Sequence, residues 1–374
     1  MAKVIRGCLN LSSDLRRLGF IKVIVFLTHP SSFTYTQQLV SKYKTVVKTY
    51  RDKEEWNVDP ETGEKVAGKG IGREGLPASD DIIALNHVLL AQNLHFVRRD
   101  VNTWDTYGQI LSALYTNDSG KAISLDIQMR ENLFKIKGLV ARLSLGEKLV
   151  FCDSLLFSDI DGIIPLLFCL DSAKTKSELV QEYFGKVAQW FERKAEIETM
   201  AYLKSLYLNE SRRFKRKSSE ESSIIHKEMQ VEPRLNFLLD VGLLERNDSS
   251  YSLSEIGKKL QATFSSLEDK DIRLLLDEKE RKWSSLLSSL YGNNLTEISE
   301  EEFDNILFRV LNFYRSIGLI LIPYDGVFLA SAALALNNFR YLLFESYEEH
   351  IKRLSKSKRL KFSATVPGRR YIHA

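Results

Sequence analysis

Apolar and polar positions fall into clear periods along this chain, most sharply between Met229 and Leu260 (MQVEPRLNFLLDVGLLERNDSSYSLSEIGKKL). Leu235, Leu238 and Leu239 form one apolar stripe at helical spacing. Pro233 suits the first position of that helix, where its missing N–H costs nothing. Gly242 suits its left-handed end. Leu243 and Leu244 begin a short strand, and Asn247-Asp248-Ser249-Ser250 is a cluster of turn formers. Tyr251 and Leu253 alternate as the return strand. Ser254 is placed to cap a following helix that reaches Leu260.

A similar order occurs twice more. A helix over Ile82–Leu94, with Leu85, Leu89 and Leu90 apolar, leads to Phe96-Val97 and a charged turn at Arg98-Arg99-Asp100. Trp104 and Tyr107 follow, and Gly108-Gln109-Ile110-Leu111 enters the next helix. Ser254–Leu260 and Asp105–Leu111 both place a glycine three residues before a leucine, just after an apolar strand. Further on, Phe303–Ile317 is amphipathic, and Gly318–Leu329 reads as a hairpin around Asp325-Gly326. Ala330–Leu336 is then helical. Helix, hairpin and helix in this order resemble the recognition helix and β-wing of a winged-helix DNA-binding domain. The resemblance implies a mainly α-helical protein with two or three winged-helix units carrying short β-hairpin wings. Winged helices hold either DNA or proteins, so the fold alone does not assign a function.

The remaining pattern is mostly helical. Ile21–Leu27 fits a strand or a short buried helix, and Phe33–Tyr50 a helix. Asp126–Leu143, Gly146–Leu156, Ile160–Leu170 and Lys176–Arg193 read as helices, with a turn at Ser158-Asp159 and a cap at Thr175 or Ser177. Ile197–Leu208 is an apolar helix, and a second short helix runs from Ile224 to Gln230. Phe339–Leu354 closes the fold. Arg51–Ser79 is rich in glycine and proline and irregular. These readings divide the chain into 1–120 (an N-terminal domain with a winged-helix unit), 121–195 (a helical core), 196–265 (the central winged-helix domain), 266–354 (a C-terminal helical, winged-helix-like domain) and 355–374 (a basic tail).

Charge changes the picture locally. The 374 residues carry a net charge of +4, yet Lys352–Ala374 holds eight Lys or Arg and no acid; removing those eight leaves −4 for the rest. Such a concentrated patch suits a polyanion or an acidic partner. The densest cluster is Arg212, Arg213, Lys215, Arg216 and Lys217, which precedes the best winged-helix pattern and suits phosphate contact. Arg234, Asn236 and Phe237 are the candidate outward positions on the recognition helix, since arginine can read a guanine edge and asparagine an adenine edge. Lys258 and Lys259 open the helix after the wing. Lys356, Lys358, Arg359, Arg369 and Arg370 represent the tail, with Phe362 and Tyr371 interleaved.

Catalysis finds little support. Glu192-Arg193-Lys194 and Glu268-Asp269-Lys270 match the E-x-K triple of metal-dependent nucleases but lack its strand and upstream acid. His87 and His95 lie eight apart on one helix, which makes no metal pair, and His29 follows an apolar run. No G-x-S-x-G elbow occurs, and Gly68-Lys69-Gly70 lacks the rest of a phosphate loop. No cofactor or metal is expected. Cys8, Cys152 and Cys169 are dispersed and odd in number, as in a reducing cytoplasm. No signal peptide is evident, and Asp153, Asp159 and Asp161 argue against Leu149–Leu170 as a span. The expectation is a non-catalytic, cytoplasmic, double-stranded-DNA-binding protein with partner subunits. The recognition subunit of a multi-subunit defence (antiviral) or mobile-element complex fits it. The alternatives are a scaffold whose winged helices bind proteins, a transcriptional regulator using Phe303–Ile317 to dimerise, and a divergent nuclease.

Overall fold

The computed structural model describes residues 17–50, 53, 56, 81–117, 119–219, 224–247, 249–266, 281–357, 360–366 and 369–373. Among them the chain is mainly α-helical with a few short antiparallel β-hairpins. It divides into two compact units, one containing residues 155–279 and the other combining 17–154 with 280–374.

The larger unit opens with α1 (Gly19–Leu27), whose residues Gly19 to Phe26 are all buried. The strand-or-helix choice at Ile21–Leu27 is thus a helix, apolar almost all round, as a core helix is. Its one cation, Lys22, is buried 3.1 Å from Glu147. Next come α2 (Thr36–Tyr50), α3 (Asp81–Asn93) and α4 (Thr106–Leu114). Between α3 and α4, Val97 bridges antiparallel to Trp104, and His29 bridges to Thr103. α5 is only Ile127–Leu133, shorter than the helix expected over Asp126–Leu143, and Gly138 turns the chain at φ 72°. α6 (Leu145–Phe168) joins two expected helices; the Ser158-Asp159 turn is a kink within it, with Asp159 at φ −138° and ψ 31°.

The smaller unit continues with β1 (Lys174–Thr175), α7 (Lys176–Ile197) and α8 (Ala201–Ser219). Then follow α9 (Ile224–Asp240), β2 (Leu244–Asn247), β3 (Ser250–Leu253) and α10 (Glu255–Ser266). The strands pair antiparallel in the order β1-β3-β2, with Leu244 opposite Leu253 and Lys174 opposite Tyr251. Thr175 is the cap of α7, in a reciprocal box with Glu178. Two expectations are corrected here. Pro233 lies inside α9 rather than at its start, so the helix tolerates the loss of one interior hydrogen bond. The helix expected over Ile197–Leu208 instead runs over Ala201–Ser219 and carries the basic cluster: Lys and Arg are good helix formers, and cations suit a helix C-terminus.

One local joint appears in both units. α9 ends through Gly242 at φ 75°, and the Leu243 N–H donates to Leu238 O at 2.9 Å. The Ser254 N–H then returns to Leu243 O at 3.0 Å. α3 ends through His95 at φ 57°, the Phe96 N–H donates to Ala91 O at 2.9 Å, and the Asp105 N–H returns to Phe96 O at 3.1 Å. A Cβ on Gly257 would stand 2.1 Å from Leu243 O, and one on Gly108 2.0 Å from Phe96 O. The glycine spacing in the sequence marks this close approach of helix backbone to the carbonyl that follows the preceding helix.

The larger unit resumes with α11 (Arg281–Tyr291), β4 (Thr296–Glu297) and α12 (Glu300–Ser316), the last capped by Ser299 and Glu302. Then come β5 (Leu321–Pro323), α13 (Tyr324–Asn337), β6 (Arg340–Tyr341), α14 (Phe344–Lys356), β7 (Lys361–Val366) and β8 (Arg369–His373). The hairpin expected at Asp325-Gly326 does not form. Those residues make the first turn of α13, where aspartate is favoured by the helix dipole. β5 pairs instead with β8, which also pairs with β7. The closing helix begins at Phe344, not Phe339, because Phe339 stands at φ 57° and β6 follows it, parallel to β4. α12 buries Phe303, Ile306, Leu307, Val310, Leu311, Phe313 and Tyr314 within its own chain, which leaves no apolar stripe for the dimerisation role considered for it.

Candidate nucleic-acid interface

α8 is held by an aromatic seam. Phe214 stacks on Phe184 and on Phe191, each at 6.0 Å, and Tyr207 stacks on Phe191 at 6.3 Å. Lys194 bridges the seam to the kinked helix: its ammonium lies 4.5 Å from the Tyr207 ring and 2.9 Å from the buried Asp161 carboxylate. Trp190 donates to the same carboxylate at 2.7 Å. With these groups inward, the opposite face of α8 is turned to solvent. Arg212, Arg213, Lys215 and Arg216 are exposed, and Lys217 is half-buried. Arg213 pairs with Glu210 at 2.9 Å and Lys215 with Glu192 at 2.5 Å. Lys217 also lies 5.5 Å from the Phe214 ring. The row thus carries five cations within six residues of sequence.

Arg234 is in a different position from the one its role requires. Its side chain is 0% exposed, and Nε and Nη2 donate to the two Asp159 oxygens at 2.7 and 3.1 Å. Nη1 donates to Gln230 O at 2.6 Å. The expected outward guanidinium is therefore an internal clamp on the α6 kink, and no base edge can reach it. Asn236 is half-buried on α9, and Phe237, also expected to point outward, is buried in the core. Between Lys227 and Asp240 no α9 residue is exposed, and the half-buried ones include Glu228, Glu232 and Asp240. Glu228 and Glu232 face Lys176 at 3.8 and 3.5 Å.

Lys258 and Lys259 are exposed at the start of α10. Hydrogen bonding to Glu255, at 2.7 Å, raises the Lys258 pKa and lowers that of its partner. On the hairpin, Arg246 is exposed with its guanidinium 5.5 Å from the Tyr251 ring, a cation the sequence reading passed over. Its place on the hairpin next to the turn cluster was the available signal.

The tail residues separate. Lys356 is exposed in the last turn of α14, beside an open depression of about 560 Å³ lined by Glu349, Lys352, Arg353, Lys356 and Ser357. Arg370 is half-buried, 2.5 Å from Glu348 and 4.5 Å from the Tyr324 ring. Arg369 begins β8, its side chain outside the described residues, as are Lys358 and Arg359 altogether. The α8 cations, the α10 lysines and Arg246 belong to the smaller unit, and the tail to the larger.

Among the described residues no group of three or more His, Cys, Asp or Glu is placed to hold a metal ion. Burial pushes the Cys152 and Cys169 thiols up to about 12, far from the thiolate state a nucleophile needs. No helix among the described residues is long and apolar enough to cross a membrane. No protein-family model, curated protein or solved structure matches the chain.

Proposed function

We propose that this chain is a non-catalytic nucleic-acid-binding protein built on winged-helix units and working within a multi-subunit assembly. The order of the smaller unit supports the winged-helix reading: the second half of α6, β1, α7, then α9, the β2–β3 hairpin and α10. The shared joint at Gly108 and Gly257 supports a second such unit over α1–α4.

The observation that carries the nucleic-acid reading is the exposed cation row on α8. Contact there is to phosphates and carries no sequence information by itself. The duplex reading relied on α9 entering a groove, and its buried arginine and half-buried acids offer that reading nothing. The test is a salt titration of oligonucleotide affinity. Wild-type affinity should fall steeply with salt, and Arg212→Ala with Arg213→Ala and Arg216→Ala should flatten the log–log slope by roughly two to three, at about 0.7–0.9 per phosphate lost. Absence of binding at low salt overturns the reading.

One observation favours a scaffold role beside it. α3 corresponds to α9 through the shared joint, yet it exposes Ile82, Leu85 and Leu89 on one face at i, i+3 and i+7. Ile82 is 69% exposed. An apolar stripe at this position suits a protein partner better than a phosphate backbone. Pull-down of a stoichiometric subunit by the wild type, and its loss with Leu85→Glu, would support this role.

A further inference from the structure

We infer that the solvent face of α8 is a track for single-stranded nucleic acid, with Tyr202 as a base-stacking platform and Arg213 and Arg216 as phosphate contacts. This rests on the nucleic-acid reading above and names its substrate class. Tyr202, Asn209, Arg213 and Arg216 follow one another at intervals of seven, four and three residues, which puts them in one row of the helix. All four are exposed, and Tyr202 is 74% exposed. The row covers 14 residue steps, about 21 Å at helical rise. Its rigidity comes from the inward seam of Tyr207 and Phe214 on Phe191, so the row is set before any ligand arrives.

An aromatic ring in line with cations discriminates between nucleic-acid forms. In a duplex the base faces are stacked on one another, and a ring on a helix surface meets phosphates, sugars and base edges but no base face. A single strand presents its base faces, and stacking on aromatics between phosphate contacts is how sequence-tolerant single-strand binders work. The Arg213–Glu210 pair does not block this, because an exposed i,i+3 pair is weak and yields to a phosphate. Asn209, between ring and cations, supplies a neutral hydrogen-bonding group to the sugar or phosphate.

The full chain is titrated by fluorescence anisotropy at low salt with a labelled mixed-sequence 15-nucleotide DNA, the RNA of the same sequence, and the matching 15-base-pair duplex. Either single strand should bind more tightly than the duplex. Tyr202→Ala should weaken the preferred single strand by roughly tenfold, Tyr202→Phe should retain it, and neither should change duplex affinity. Arg213→Ala with Arg216→Ala should weaken every probe. If Tyr202→Ala leaves single-strand affinity unchanged, or the duplex binds as tightly as either strand, the track is overturned while the arginine effect still supports phosphate binding. If no probe binds, both readings fall. Tyr202 is exposed, so these variants fold, and a thermal melt matching wild type checks it.

Discussion

The Arg234 guanidinium and the Asp159 carboxylate form a two-point ion pair sealed from solvent, at the single residue where α6 leaves helical geometry. Gly162 leaves room for it: a Cβ there would stand 2.7 Å from both Arg234 Nε and Asp159 Oδ1. Arg234→Met strands a buried carboxylate and should cost about 3–5 kcal/mol, whereas Arg234→Met with Asp159→Leu should recover most of that. Urea unfolding of the two variants checks it. An Arg234 that served only to read bases would leave stability unchanged.

Gly257 and Gly108 make the same prediction in two places. An alanine at either would push a methyl group into a backbone carbonyl, at Leu243 and Phe96 respectively, and backbone cannot swing aside as a side chain can. Gly257→Ala and Gly108→Ala should each cost about 1–3 kcal/mol or more. Gly185, inside α7, is the control: its Cβ would meet only Ser218 Oγ at 3.9 Å. Gly185→Ala should stabilise by up to about 1 kcal/mol through helix propensity. Thermal melts of the three variants decide whether the joint or a general intolerance of substitution is at work.

These sites show what could be read in advance. Gly257, Ser254, Gly242 and the Leu244–Leu253 strands were legible because each obeys a short-range rule of turn, cap or alternation. Pro233 and Asp325-Gly326 misled for the same reason. A local preference for helix start or hairpin turn was outweighed by packing that continues α9 upstream and begins α13 at Tyr324. Arg234 was out of reach, because its partner Asp159 lies 75 residues away and only the folded chain brings them together. The α8 cations were legible as a cluster, while their common row with Tyr202 required knowing that the helix runs unbroken from Ala201 to Ser219.

The two reciprocal caps give stability a carboxylate-dependent pH profile. The Thr175 backbone N–H, with the Thr175 hydroxyl, holds the Glu178 carboxyl below its usual range, and Ser299 does the same for Glu302. Depressed folded-state pKa values favour the charged form in the folded protein. The caps therefore contribute fully above the ordinary carboxylate range, near pH 4.3, and lose that contribution as pH falls through the lowered values. Glu178→Gln with Glu302→Gln should shrink the difference in melting temperature between pH 7 and pH 3.5. An unchanged pH profile in the double variant would exclude the caps as its source.

The basic tail carries a structural strand, and its removal should be felt as unfolding before any loss of binding. Ile372 on β8 is fully buried opposite Ile322 on β5, and Leu360 is buried just before β7. Burying one such side chain is worth about 1.5–3 kcal/mol. Deleting residues 361–374 uncovers the Ile322 face as well as removing Ile372, and should lower stability by roughly 3 kcal/mol or more. Arg370→Ala keeps the strand and should cost less, on the order of 1 kcal/mol, through lost contact with Glu348 and the Tyr324 ring. Urea melts rank the two variants. A tail that only tracked nucleic acid would reverse the pattern, with affinity lost in both and the unfolding midpoint unmoved.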